Sequence, residues 1–204
     1  MTTENLRKPG DRTLLSGNVT ATGTARAADW LVSRDPHPRE IRETWMRDAP
    51  AMLRTGLHFE AVRLAAGVVG VLAGGGGRDA VESAFQAAGI ENAVIADPSG
   101  RWFYVLVPTG TAGEWDVPGI HVLAADHYLG VPAPHRADPP GTHWLLCPPR
   151  GEEDLADPAA LRKLIAAACA RVAAEPADPS GGVNRAAGRT VGAAGVNARP
   201  RAAT

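Results

Sequence analysis

Asp97-Pro98-Ser99-Gly100-Arg101-Trp102-Phe103-Tyr104-Val105-Leu106-Val107-Pro108 is the stretch that decides the fold. A Ser-Gly pair opens a run of aromatic and β-branched residues that proline closes, the pattern of a strand entered through a tight turn. Before it, Ala93–Ala96 reads as a second short strand. Successive side chains on a strand point to opposite faces, so Trp102 and Tyr104 share one face and Phe103 takes the other. At least one of those faces is core. Downstream, Gly119-Ile120-His121-Val122-Leu123-Ala124-Ala125-Asp126-His127-Tyr128-Leu129-Gly130-Val131-Pro132-Ala133-Pro134 repeats the pattern. Strands near Ile120–Val122, Tyr128–Val131 and Trp144–Cys147 are expected to complete one sheet.

Upstream, Phe59–Leu64 alternates as a strand, and Ala65–Ala73 predicts a helix ending in Gly74-Gly75-Gly76-Gly77. Asp35-Pro36-His37-Pro38 is a helix-start signal, because proline suits the first turn. Ile41, Trp45 and Met46 follow at helical spacing, with a stop near Asp48 before Pro50. Asp79–Ala88 places Val81, Ala84, Phe85 and Ala88 on one helical face, with Gly89 as its stop. Asp157-Pro158 opens a last helix whose buried stripe is Leu161, Leu164, Ile165 and Ala168. Helices at both ends and consecutive strands in the middle predict an α+β fold, a mostly antiparallel sheet with flanking helices.

A chain of 204 residues fits one domain with tails. All ten aromatics lie between Trp30 and Trp144, so the folded part is expected within 28–175. Residues 1–27 are polar, Thr/Gly-rich and aperiodic, and 176–204 are Gly/Ala/Arg-rich, so both are expected to be disordered. Ala28–Glu175 carries 13 Arg/Lys against 19 Asp/Glu, a net −6, whereas 181–204 carries four Arg and no acid. An acidic core is a poor match for tight phosphate-backbone binding, and the tail only partly offsets it. Two cysteines, Cys147 and Cys169, make no disulfide framework, so a reducing cytoplasm is the expected compartment. The charged N-terminus has no apolar core of a signal peptide, and no apolar run reaches membrane-spanning length, so no membrane partner is expected.

Beyond composition, the order of these motifs resembles the bifunctional DNA primase/polymerase (prim-pol) N-terminal domain family over about residues 28–150. Trp30, Asp35-Pro36 and Ile41-Arg42-Glu43-Thr44-Trp45 are similar to that family's opening Trp, Asp-Pro helix start and Ile-Arg-x-x-Trp helix. Arg54-Thr55-Gly56 then resembles the Gly-containing lead into its first catalytic strand. The family's Asp-x-Asp pair is matched by Phe59-Glu60-Ala61-Val62-Arg63-Leu64, with one carboxylate and one arginine. Its Ser-Gly-Gly-x-His turn is matched by Ser99-Gly100-Arg101-Trp102-Phe103-Tyr104, which keeps the turn and aromatics without the histidine. Its Gly-x-Asp-x-Arg motif is matched by Gly119-Ile120-His121-Val122-Leu123, so His121 stands at the aspartate position and Leu123 at the arginine. Tyr128 and Pro132-Ala133-Pro134 continue the likeness.

Nucleotidyl transfer needs clustered carboxylates to hold hard divalent ions against phosphates, and neither Arg63 nor His121 supplies an oxygen ligand. The resemblance therefore implies an inherited scaffold without the polymerase chemistry and without a required metal cofactor. It would bind nucleic acid, nucleotide or a protein partner through Ser99, Gly100, Arg101, Trp102, Tyr104, His121, His127 and Tyr128. Two alternatives stand beside it. One is an active nucleotidyltransferase, dependent on Mg²⁺ or Mn²⁺, with a rearranged acidic site at Glu60, Asp116 or Asp126. The other is a non-catalytic protein-interaction domain.

Bland readings compete for the remaining motifs. His121, Asp126, His127, His135 and His143, with Asp116 and Cys147, lack tight metal-ligand spacing and are expected to be ordinary loop histidines rather than a zinc or manganese site. Gly74–Gly77 lacks the Lys-Ser/Thr of a phosphate loop and reads as a linker between helices. The aromatics of the central strands offer a base-stacking platform only where they escape the core.

Overall fold

A computed structural model of the chain describes residues 11–174, with side chains from residue 21. The expected tail at 176–204 and residues 1–10 lie outside the described residues. Within them the chain runs α1 (Asp11–Val32), α2 (Pro38–Met46), β1 (Ala51–Arg54), β2 (Glu60–Ala65), α3 (Ala66–Ala73), α4 (Arg78–Ala87) and β3 (Val94–Ala96). It continues through β4 (Trp102–Val107), the single-turn α5 (Thr111–Glu114), β5 (His121–Leu123), β6 (Tyr128–Val131), β7 (His143–Trp144) and α6 (Pro158–Ala174). The fold is α+β with antiparallel strand pairing in its sheets, as the motif order predicts.

The five-stranded sheet has the order β5-β2-β4-β3-β7. Its centre is β2 against β4, in the register Glu60↔Val107 through Ala65↔Trp102. One face presents Val62, Leu64, Val94, Phe103, Val105 and Val107 to a core shared with Val69, Phe85, Leu161, Leu164 and Ile165 from α3, α4 and α6. Phe103 meets Phe85 edge-on, with centroids 5.7 Å apart at 87°. The stripes expected on α4 and α6 are the ones used. Phe85 is buried, Val81, Ala84 and Ala88 pack beside it, and Leu161, Leu164, Ile165 and Ala168 are all buried.

The opposite face is covered along part of its length by a second layer. Ala61, Ile95, Leu106 and Trp144 pack there against Leu31 of α1, Ile41 and Trp45 of α2, Leu53 of β1, and Leu129 and Val131 of β6. The i, i+4 pair Ile41 and Trp45 brings α2 onto this layer, and the Trp45 indole N–H donates to the Val131 carbonyl at 3.0 Å.

Two expectations are corrected. The strands do not form one sheet. β6 pairs with β1, a strand not anticipated from sequence, in a separate two-stranded ribbon, Ala51↔Val131 through Arg54↔Tyr128. The reason is the turn at Thr55-Gly56, which folds β1 away from β2 and docks onto the segment after β5. Thr55 Oγ1 donates to the Ala124 carbonyl at 2.5 Å, and a Cβ on Gly56 (φ +85°) would sit 2.4 Å from the Ala125 nitrogen. Only glycine fits so close a backbone at that φ.

The N-terminal segment is also different from its expectation. Residues 11–27, placed within the disordered 1–27, belong to α1. Thr and Gly give this stretch little intrinsic helix preference. Its C-terminal turns are held by burial of Ala27, Leu31 and Val32 and by the exposed pair Arg42–Asp29 at 2.9 Å. Among the described residues, no helix is long and apolar enough to cross a membrane.

Candidate functional site

Where the second layer ends, the five-stranded sheet carries a different kind of residue on the same face. Ala61, Arg63 and Ala65 alternate along β2, and cross-strand register sets Arg63 opposite Tyr104 on β4 and opposite His121 on β5. Ala65 lies opposite Trp102. Directly opposed residues share a face, with Cβ atoms about 4.5–5.5 Å apart. Guanidinium, phenol, imidazole and indole therefore gather on three adjoining strands. Trp102 and Tyr104 are half-buried and share this face, while Phe103 is buried on the other, as strand alternation requires.

Arg63 is the centre of the group. Its guanidinium lies over the Trp102 ring, 4.5 Å from the centroid. A cation–π contact of this kind restrains the guanidinium. Of its neighbours on the same face of the strand, Ala61 is buried under the second layer and Ala65 is half-buried. Arginines 26, 34, 42, 47, 54, 78, 136, 150 and 162 each hold an acidic side chain. Arg63 does not. Its Nε is buried with no hydrogen-bond partner, and it is the half-buried arginine without an anion among the described residues. A buried donor left unpaired is costly for a fold to keep.

Ser99, Gly100 and Arg101 are occupied otherwise. They form the turn between β3 and β4, knit by Asp97. Ser99 Oγ donates to Asp97 Oδ2 at 2.6 Å, and the Arg101 and Trp102 backbone N–H groups donate to Oδ1 at 2.9 and 3.1 Å. Burial pushes the Asp97 carboxyl up, but these bonds together outweigh it and hold it below the usual carboxylate range. Gly100 takes φ +66° in that turn, the left-handed backbone that glycine adopts without strain. These residues anchor Trp102 on its strand, and the exposed Arg101 side chain turns back on them, its Nε donating to Ser99 Oγ at 3.2 Å.

His127 and Tyr128 do not join the cluster, so the Ser99–Tyr104 and His121–Tyr128 segments do not line one cleft. His127 is exposed, its Nδ1 3.0 Å from the Ala125 carbonyl oxygen. Tyr128 pairs with Arg54 on the ribbon and lines a cavity of about 470 Å³ with Arg34, Ile41, Met52, Arg54 and Leu57. The cavity lies on the ribbon, whereas the Arg63 cluster is an open strip of sheet. The ribbon's turn separates the two, which no local motif reveals.

The carboxylates of the alternative acidic site are dispersed. Glu60 is buried and caps α5, accepting from the Gly110 N–H at 3.1 Å and the Ala112 N–H at 2.7 Å. Asp116 pairs with Arg162 at 3.2 Å and Asp126 with Arg54 at 2.5 Å. Among the described residues, no three His, Cys, Asp or Glu side chains gather to hold a metal ion. The donors at the Arg63 face, a guanidinium, an imidazole, a phenol and an indole, do not fit a hard divalent cation, which requires oxygen anions.

The sequence points to Trp102, Tyr104 and His121, whereas Arg63 reads there only as a departure from a carboxylate pattern. The period-two alternation of Ala61, Arg63 and Ala65 was the available signal, since it puts the arginine between small residues on one face. The chain matches no family model, no curated protein and no solved structure.

Proposed function

We propose that this chain is a prim-pol-like scaffold without polymerase chemistry that binds nucleotide or nucleic acid through Arg63, Trp102, Tyr104 and His121. The observation that carries the reading is the unpaired guanidinium of Arg63, held 4.5 Å over Trp102 on an otherwise acidic domain. An arginine held over an indole presents hydrogen-bond donors to an oxyanion, and the uncovered edges of the half-buried Trp102 and Tyr104 rings offer contacts to a base. The resemblance supports it as well. Arg63 and His121 stand on the strands matched to that family's carboxylates, and register makes them direct neighbours. The separate positions of Glu60, Asp116 and Asp126 speak against a rearranged acidic centre.

Fluorescence anisotropy of labelled single- and double-stranded DNA tests the reading. Binding by the full chain should weaken about tenfold or more in Arg63→Ala, the loss of one charge-assisted contact. Unchanged binding in Arg63→Ala and Trp102→Ala would overturn it. A protein-interaction role has an observation of its own. Met52 and Tyr128 are 55% and 59% exposed on the outer face of the ribbon, with Leu57 beside the same cavity.

A further inference from the structure

We propose that the Arg63 face takes a phosphomonoester directly, with the guanidinium standing where a divalent cation would otherwise bridge protein and phosphate. The inference rests on the proposed ligand-binding role and adds to it the ligand group and the absence of a metal requirement.

Three features of the site lead there. First, Nε of Arg63 is buried and unpartnered, whereas no terminal nitrogen of the same group is both buried and unpaired. No described residue bonds to the guanidinium, so its open approach is end-on, through Nη1 and Nη2. Two parallel N–H groups match two oxygens of one phosphate. Second, the contact with Trp102, 4.5 Å from Cζ to the ring centroid, restrains the guanidinium, so less side-chain freedom is lost on binding. Third, Tyr104 and His121 flank Arg63 in register on the two adjoining strands. Strands are spaced about 4.8 Å apart, so the three polar tips span a width on the order of 10 Å, enough for one phosphate and an attached ring.

Charge selects the monoester over the diester. A phosphomonoester carries close to two negative charges at neutral pH and a backbone diester only one, so an unneutralised guanidinium favours the former. Among the described residues, no carboxylate pairs with Arg63. Asp97 is bound into the turn, Glu60 caps α5 and Asp126 is paired with Arg54. A divalent cation has no protein ligand set there, and in solution it would compete with Arg63 for the phosphate.

Quenching of tryptophan fluorescence in the full chain tests this, with adenosine monophosphate, inorganic phosphate, and a short oligothymidine with and without a 5′-phosphate as probes. Each titration is run in EDTA and in Mg²⁺. The expected result is binding of the phosphomonoester probes in EDTA, not strengthened by Mg²⁺ and competed by inorganic phosphate. It should be weakened about tenfold or more in Arg63→Gln and left unchanged in Arg39→Ala, an exposed arginine outside the site. Arg63→Lys, which keeps the charge without the fork, should fall between the two. The mononucleotide and the 5′-phosphorylated strand separate a free nucleotide from a strand end as the source of the group.

Binding that appears only with Mg²⁺ would overturn the metal-free inference while leaving the ligand-binding reading standing. Equal binding of the phosphorylated and unphosphorylated strands would overturn the monoester inference alone. Failure of every probe, with and without metal, in a chain of native circular dichroism would overturn both.

Discussion

The two faces of the five-stranded sheet are built from the same strands and have opposite fates. On one, Val62, Leu64, Phe103, Val105 and Val107 are buried beneath α3, α4 and α6. On the other, burial begins with Ala61, Ile95 and Leu106 under α1, α2 and the β1–β6 ribbon and then stops. At that edge Tyr104 still packs against the layer, and past it stand Arg63 and Trp102, half-buried, and His121, exposed. The helical face is there to hold the sheet together. The open strip lies on strands already secured from behind, so it can keep an unpaired cation that an isolated hairpin could not.

Substitutions on the two faces should separate stability from binding. Phe85→Ala removes a fully buried ring from the helical face and its edge contact with Phe103, and should cost about 3–5 kcal/mol in urea unfolding. Gly56→Ala attacks the join between sheet and ribbon. The positive φ alone costs about 1–3 kcal/mol, and the clash with Ala124 and Ala125 adds to it. Tryptophan-detected unfolding should show the loss, and an unperturbed midpoint would mean that the ribbon is not docked through this turn.

Glu60→Ala leaves the Gly110 and Ala112 N–H groups without their acceptor and should cost about 1–3 kcal/mol. Because α5 leads into β5, amide hydrogen exchange should also quicken at residues 121–123. Smallest in stability is Trp102→Ala, expected to cost on the order of 1 kcal/mol since the ring is only half-buried, while ligand binding is lost. A Trp102→Ala variant as unstable as Phe85→Ala would erase the distinction between the faces.

A further change, away from the sheet, concerns pH. The Arg150 side chain bonds Asp154 through Nε at 2.8 Å and Nη2 at 3.1 Å, which holds that buried carboxyl below its usual range against the opposing effect of burial. A depressed folded pKa stabilises the fold above the unfolded value of about 3.9, and that contribution is lost as pH falls through the folded pKa. Asp154→Asn should flatten the acid limb of the stability profile. The same slope in both proteins would show that this pair does not govern it.

Most of the helices were legible in the sequence because their signals are local. Pro38 with Ile41 and Trp45, the Phe85 face of α4 and the Leu161, Leu164, Ile165 and Ala168 stripe of α6 each lie within a few turns of one another. The alternation that sends Trp102 and Tyr104 one way and Phe103 the other is local too. The ribbon was not legible, because Ala51–Arg54 is short and its partner lies more than seventy residues later. α1 was missed for a related reason. Thr and Gly argue against a helix, and only burial of Ala27 and Leu31 in the second layer answers them.

The sequence by itself determined which residues alternate, which helices are amphipathic and where turns interrupt them, because those properties follow from backbone periodicity and side-chain type. It also placed Trp102, Tyr104 and His121 among the residues of interest. Only the tertiary structure decided that Arg63 stands between them, that His127 and Tyr128 belong to the ribbon, and that Glu60 is a cap. Those outcomes depend on cross-strand register and on which segments bury one another. Register is a relation between distant stretches of chain, settled by the packing of the whole layer and written in none of them alone.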